Sequence, residues 1–293
     1  MADYSIVTRT FGMDFIYLDL IFLALWIGFL TYKRYWKPIV WGIIGWLVYL
    51  LTDFYIWYTV MHSRTYTGPV NPNLFFLWFC FSPGFVQFSY VALMLEKRNW
   101  RDIWLSTLIF YVGWTFVSVG SQLIPWDDRI IEVARNMNEA RQRLTFGLMT
   151  IGNLIIAFIL YYFKKIRLQD ILYLFVVGTL VEFCLEFTLA ISGIRLGQET
   201  WSFLLMVVNT LIEFNMGIVL MYIVLSLIFN IRNRPIFKEM LGWKDFKYIK
   251  TDYNLVREIV KKNKNLNELY AAGKIRYSRV KLEADIEYLK AKN

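Results

Sequence analysis

Long apolar runs separated by short polar or basic turns dominate the chain, and neither strict alternation nor a single amphipathic stripe prevails. Seven runs are long enough to cross a hydrocarbon layer of roughly 30 Å as helix. They are Met13–Tyr32, Ile39–Val60, Leu74–Leu95, Ile103–Ile124, Leu144–Phe163, Ile171–Ile191 and Trp201–Phe229. Trp and Tyr crowd their ends, where amphipathic rings settle at a membrane–water boundary. Inside lipid the backbone must satisfy its own polar groups, so each run predicts a helix. The expected fold is all-α: a polytopic membrane protein with a seven-helix domain over 1–230 and an appended tail over 231–293. The first run reads as a span rather than a cleavable signal, because no basic stretch leads into it.

Two weaker patterns lie outside the spans. Between Asp127 and Arg143, Ile130, Val133, Ala134, Met137, Ala140 and Leu144 recur at i, i+3/i+4 spacing with charges between them, which predicts an amphipathic outer helix. Its Arg135 and Arg141 are placed either to catch an anionic head group or to sit among head groups as a lead-in to the fifth span. In the tail, Tyr253–Lys264 and Tyr277–Lys290 carry helical periodicity with mixed charge.

Composition agrees with a membrane chain: 57% of residues are hydrophobic and only 19% charged, too few charges for an ordinary water-soluble surface. The formal charge of +9 is concentrated in residues 231–293, which hold 16 Lys/Arg against 8 Asp/Glu. Distributed over alternating sides of the seven spans, 25 Lys/Arg fall on the side of the tail and 7 on the other. The N-terminus is therefore expected outside and the C-terminus in the cytoplasm of a cell-membrane protein. The basic tail favours anionic inner-leaflet lipid, and no nucleic-acid-binding motif accompanies it. Cys80, Cys184 and the single histidine, His62, make neither a disulfide framework nor a zinc or haem ligand set.

The chain also resembles itself. Gly45, Leu47, Val48, Asp53 and Phe54 align with Gly178, Leu180, Val181, Glu186 and Phe187 in one register, and Gln87-Phe88 aligns with Glu213-Phe214. The spans then read as three helices (13–95), a connector (103–124) and three helices again (144–229). Counterparts stand four spans apart, so this is a parallel repeat about an axis along the membrane normal, with its binding site expected at the interface of the halves.

Chemistry enters with the acids. A charge at mid-bilayer costs at least ~2.5–3.5 kcal/mol, so each such residue implies a partner, a wet cavity or a function. Asp19, Asp53, Glu182, Glu186 and Glu213 lie within the spans, and no Lys or Arg does. Carboxyl groups crowded in low dielectric cannot all ionise, which predicts a cluster sharing protons. Asp53, Glu182, Glu186 and Glu213 are the candidate catalytic or coupling acids. Asn209, Gln87, Tyr49, Trp57 and Asn215 are the candidate substrate-binding groups, Tyr49 and Trp57 each standing i, i+4 from Asp53. His62 and Arg64 follow Asp53 near the outer mouth, where a histidine would relay protons or lie solvated.

Such a pocket admits acid-initiated cyclisation or isomerisation of a lipophilic substrate with aromatic faces stabilising a cation. It admits equally proton- or cation-coupled transport, or coordination of a hard divalent ion. A lipid- or partner-binding module with the acids as interhelical glue remains a further alternative. No cofactor and no committed metal set follows from the residues.

The segment Val208-Asn209-Thr210-Leu211-Ile212-Glu213-Phe214, with Tyr222 beyond it, resembles the Asn-x-x-x-Glu signature of the small seven-helix integral-membrane terpene cyclases. The resemblance implies a prenylated, isoprenoid-like substrate, Glu213 as proton donor and Asn209 as its orienter. This chain has Ile212 where that family has a tryptophan, and it carries the signature in its last span rather than its N-terminal half.

Overall fold

The computed structural model describes residues 6–96, 100–136, 139–163, 165–194 and 203–229. The chain divides into two units, Met1–Leu241 and Gly242–Asn293. The second unit, and with it the expected tail helices, lies outside the described residues. So do the side chain of Arg141 and the beginning of the seventh run at Trp201.

The described residues are mostly helical, and six helices among them are long and apolar enough to cross a membrane. α1 (Met13–Tyr32) matches its apolar run residue for residue. The second span is α2 (Trp36–Tyr49) continued by a π-helical segment, Leu50–Val60. α3 (Pro72–Glu96), α4 (Trp100–Leu123), α5 (Glu139–Tyr162) and α6 (Leu168–Ile191) follow. Large apolar side chains such as Leu25, Leu148, Phe163 and Leu227 stay exposed around the bundle, as lipid-facing positions do, while Trp26, Phe75, Phe76, Tyr90 and Phe110 fill its interior. With lipid as apolar as leucine, close packing and interhelical hydrogen bonds hold the helices together. Trp26 Nε1 donates to Ser89 Oγ at 2.8 Å, and Tyr111 Oη to the Leu180 carbonyl at 2.7 Å. α2 crosses α3 at Gly42, Gly45 and Gly84, where a Cβ on Gly84 would stand 2.8 Å from the Gly45 carbonyl oxygen.

Three departures from the sequence expectation shape the rest. The first is a small antiparallel sheet of β1 (Ile6–Gly12), β3 (Ile130–Asn136) and β2 (Arg64–Thr67), in the order β1-β3-β2. The strands precede the first span, follow the second and follow the fourth, so their pairing brings these three stretches to one end of the bundle. β3 corrects the expected outer helix. Ile130, Ile131 and Val133 are β-branched, and burial alternates along the strand: Ile131 and Val133 are buried, Ile130 and Glu132 exposed. A short apolar pattern fits either period, and strands on both sides of β3 decide it by satisfying its backbone.

The second departure is the seventh run, which divides into α7 (Phe203–Ile212) and α8 (Ile218–Phe229) around turn residues 213–217. At 1.5 Å per residue neither piece spans roughly 30 Å alone. Side chains on α5 brace the backbone at the break. Thr150 Oγ1 donates to the Ile212 carbonyl at 3.1 Å, Asn153 Nδ2 donates to the Met216 carbonyl, and Asn153 Oδ1 accepts from Leu220 N–H at 3.3 Å. Non-helical backbone at membrane depth persists only where protein satisfies it in this way. The third departure is the π-helical segment, a widened turn that often marks functional positions; it carries Asp53 and Trp57.

Candidate functional site

Glu182 and Glu186 stand one turn apart on α6, and Glu213 opens the break between α7 and α8. A carboxylate oxygen from each lies within 4.8 Å of the others. Glu182 and Glu186 are buried and Glu213 is half-buried. Three acids that the sequence separates by up to 31 positions thus form one cluster, at a spacing that a single hard cation or shared protons would bridge.

Asp53, on the π-helical segment, lies within electrostatic reach of the same groups as Glu182 and Glu213, namely Arg9 and Tyr49. Arg64 Nη2 on β2 donates to Asp53 Oδ1 at 2.8 Å, with side-chain exposures of 8% and 7%. That corrects the expectation that no cation neutralises the acids. The expectation considered only spans, whereas the cations descend from the sheet. Because side chains alternate along a strand and directly opposed residues share a face, the register places Arg9, Arg64 and Arg135, one per strand, on one face. That face also carries the buried Phe11, Ile131 and Val133; Thr65, Thr67 and Glu132 on the other are exposed.

All three guanidiniums feel the acids. Arg9 lies within electrostatic reach of Glu213, Glu182, Asp53 and Arg64, and Arg135 within reach of Glu213, Arg64, Arg9 and Asp53. Burial, reinforced by Arg64, lowers Arg9 from its ordinary value while the three acids pull it back up. Burial likewise pushes Arg135 down to about 10, against the pull of Glu213 and Asp53. At about 10, Arg135 remains charged at neutral pH. Trp57 underlies two of the guanidiniums, with Arg64 Cζ 5.3 Å and Arg135 Cζ 5.7 Å from its ring, and Phe79 faces Arg64 at 5.4 Å.

Of the expected polar companions, Tyr49 is within electrostatic reach of Glu182, Asp53, Glu213 and Arg9, and its hydroxyl donates to Gln87 Oε1 at 2.6 Å. Asn209 is buried one turn before Glu213. Asn215 donates from Nδ2 to Thr179 Oγ1 and to the Leu211 carbonyl, each at 3.0 Å, its side chain fills the space left by Gly178, and its Oδ1 is buried without a hydrogen-bond partner. It braces the break. Asp19 is held apart by Trp78 Nε1 and Ser82 Oγ, each at 2.7 Å, and His62 is exposed in the loop before β2.

Sequence reasoning missed the arginine face and the α5 side chains at the break. The signal for the first was present. Val7-Arg9-Phe11 interleaves with Thr8 and Thr10, and Ile131-Val133-Arg135 interleaves with Glu132 and Ala134, which is strand alternation with a cation on the inward face. Thr150 and Asn153 carried a fainter one, as polar residues three apart on one face of an otherwise apolar helix. Against protein-family models, curated proteins and solved structures, the chain finds no match.

Proposed function

We propose that this chain is a multi-pass membrane protein that takes up and releases a cation, in the simplest case a proton, at Glu182, Glu186 and Glu213, coupled to passage of a second solute. The observation that carries this reading is the approach of the three carboxylates within 4.8 Å of one another at a break in an apolar helix. Carboxyl groups this close together in low dielectric repel one another when ionised, so the cluster favours one bound proton or cation among its members. Asp53, Arg9, Arg64 and Arg135 add charges around it. Discontinuous helices at acid-bearing positions are the usual construction of ion-coupled sites.

The alternative reading, acid-initiated chemistry at Glu213 on a lipophilic, isoprenoid-like substrate, needs a carboxylic acid that keeps its proton opposite free aromatic faces. Here Trp57 and Phe79 are instead stacked on the guanidiniums of Arg64 and Arg135. The balance therefore falls to coupling.

On this reading the sheet end faces outside and residues 231–293 face the cytoplasm, as the 25-to-7 bias of Lys/Arg supports. The parallel duplication draws support from the aligned glycines. Gly45 admits α3 closely against α2, and Gly178 admits Asn215 from the seventh span against α6.

The test is the purified full chain in liposomes loaded with a pH-sensitive dye, under an imposed potential, beside lipid extraction from expressing cells. Wild type should pass protons or a monovalent cation faster than empty liposomes, and Glu213→Gln should not. Equal flux in wild type and Glu213→Gln refutes the reading. A new cyclised lipid that disappears with Glu213→Gln transfers the site to the alternative.

A further inference from the structure

We infer that the inward face of the sheet, built by Arg9, Arg64 and Arg135, binds an oxyanion of the carboxylate or phosphate type, and that this oxyanion is the solute whose passage the glutamate cluster couples. The inference rests on the proposed function for its second half only.

The argument starts from the strand register. Arg64 and Arg135 are directly opposed across β2 and β3, and like charges at opposed positions destabilise a sheet. A sheet whose only task was to cover the bundle would place neutral side chains there, as the other face does with Thr65 opposite Ala134. Asp53 accounts for one terminal nitrogen of Arg64. The Nε–H groups of Arg64 and of Arg135 are buried and have no hydrogen-bond partner, although Arg64 itself is only 9% exposed. Buried guanidinium donors are ordinarily satisfied, so two orphaned ones on the same face indicate a missing acceptor. An Nε–H with a neighbouring terminal N–H forms the planar edge that takes both oxygens of a carboxylate or phosphate. Trp57 and Phe79 hold the Arg64 plane in place by stacking, so the edge is pre-formed. Arg9 and Arg135 are half-buried at an end of the bundle rather than sealed within it, which leaves an approach for the ligand.

Electrostatics supplies the coupling. An oxyanion entering the arginine face adds negative charge beside the glutamates, and a proton or monovalent cation taken up at Glu182, Glu186 and Glu213 offsets it. Oxyanion binding should therefore tighten as pH falls. Among the described residues, the groups that meet there are Asp53 from the π-helical segment, Glu182 and Glu186 from α6, Glu213 from the break, Tyr49 from α2, Cys80 from α3 and the guanidiniums of Arg9, Arg64 and Arg135.

The experiment uses the purified full chain in detergent and reads its thermal midpoint during titration with sodium acetate, inorganic phosphate or sodium chloride at matched ionic strength, at pH 6 and pH 8. Acetate or phosphate should raise the midpoint saturably where chloride does not, more so at pH 6, and the more effective of the two names the oxyanion class. Arg135→Gln should weaken that binding roughly tenfold or more, as loss of a charge-assisted donor does; Arg9→Gln serves in its place if that variant does not fold. If neither oxyanion exceeds chloride, or if the variant binds as tightly as wild type, the arginine face is not an anion site, whatever the proton flux shows. Saturable binding that ignores pH, in a protein without flux, keeps the anion site and overturns the coupling.

Discussion

Arg64 and Asp53 form an ion pair whose two side chains are both less than a tenth exposed, so its removal tests the site directly. At 2.8 Å and an effective dielectric of about 20, the Coulomb attraction is about 6 kcal/mol before the desolvation of both groups is charged against it. Losing one partner of such a pair costs about 3–5 kcal/mol, because the other charge stays buried and uncompensated. Each single variant should therefore cost about 3–5 kcal/mol, Arg64→Gln because Asp53 loses its hydrogen-bonded cation and Asp53→Asn because Arg64 loses its hydrogen-bonded anion. The double variant removes both charges and should recover about 2–3 kcal/mol of the summed losses. The assay is reversible unfolding in mixed micelles followed by far-UV circular dichroism, with all four proteins compared in a double-mutant cycle. Singles that add to the double within about 0.5 kcal/mol would refute a coupled, buried Arg64–Asp53 pair.

Gly45→Ala drives a methyl group into the Gly84 carbonyl and the Phe88 ring, and it should lower stability in the same assay by about 1–3 kcal/mol. Gly28→Ala, where a Cβ meets nothing, should not. Asn153→Ala removes the partners of the Met216 carbonyl and Leu220 N–H at the break, at about 1–3 kcal/mol for each group left unsatisfied. An unchanged unfolding curve would mean that lipid or water already satisfies them.

The spans were legible because their signal is long and redundant. A run of some twenty apolar residues has one solution in lipid. α1 begins and ends where its apolar run does, and α3, α4 and α6 differ from theirs only at the ends. The break in the seventh run was not legible from its apolar content, which continues through Ile212 and Phe214. What interrupts the helix is the succession of Glu213, Asn215 and Gly217 together with partners on α5, a tertiary circumstance. The acids were individually visible as intramembrane charges. Their partners were not, because Arg9, Arg64 and Arg135 lie outside every span and only strand pairing turns them onto one face. Asp53 had been aligned with Glu186 by self-similarity, yet its ion pair is with Arg64, eleven residues further along its own strand-bearing loop. Sequence spacing singled out the carboxylates and passed over the arginines that strand register gathers on one face.

One stretch of chain touches both halves of the proposed coupling. β3 carries Arg135 toward the acids, α5 begins at Glu139, and Thr150 and Asn153 on α5 hold the break that presents Glu213. If movement of β3 that carries Arg135 away from Glu213 is passed on to the helix that braces Glu213, inserting two glycines after Asn136 should uncouple the two. Lengthening a loop costs little, about 0.6 kcal/mol for a doubling, so the unfolding midpoint should stay close to wild type. If the coupling runs through this connection, cation flux should persist while its dependence on added acetate or phosphate disappears. Flux that keeps its full oxyanion dependence in the insertion variant would show that β3 and α5 act independently, and the strands would then be a binding surface without a mechanical role.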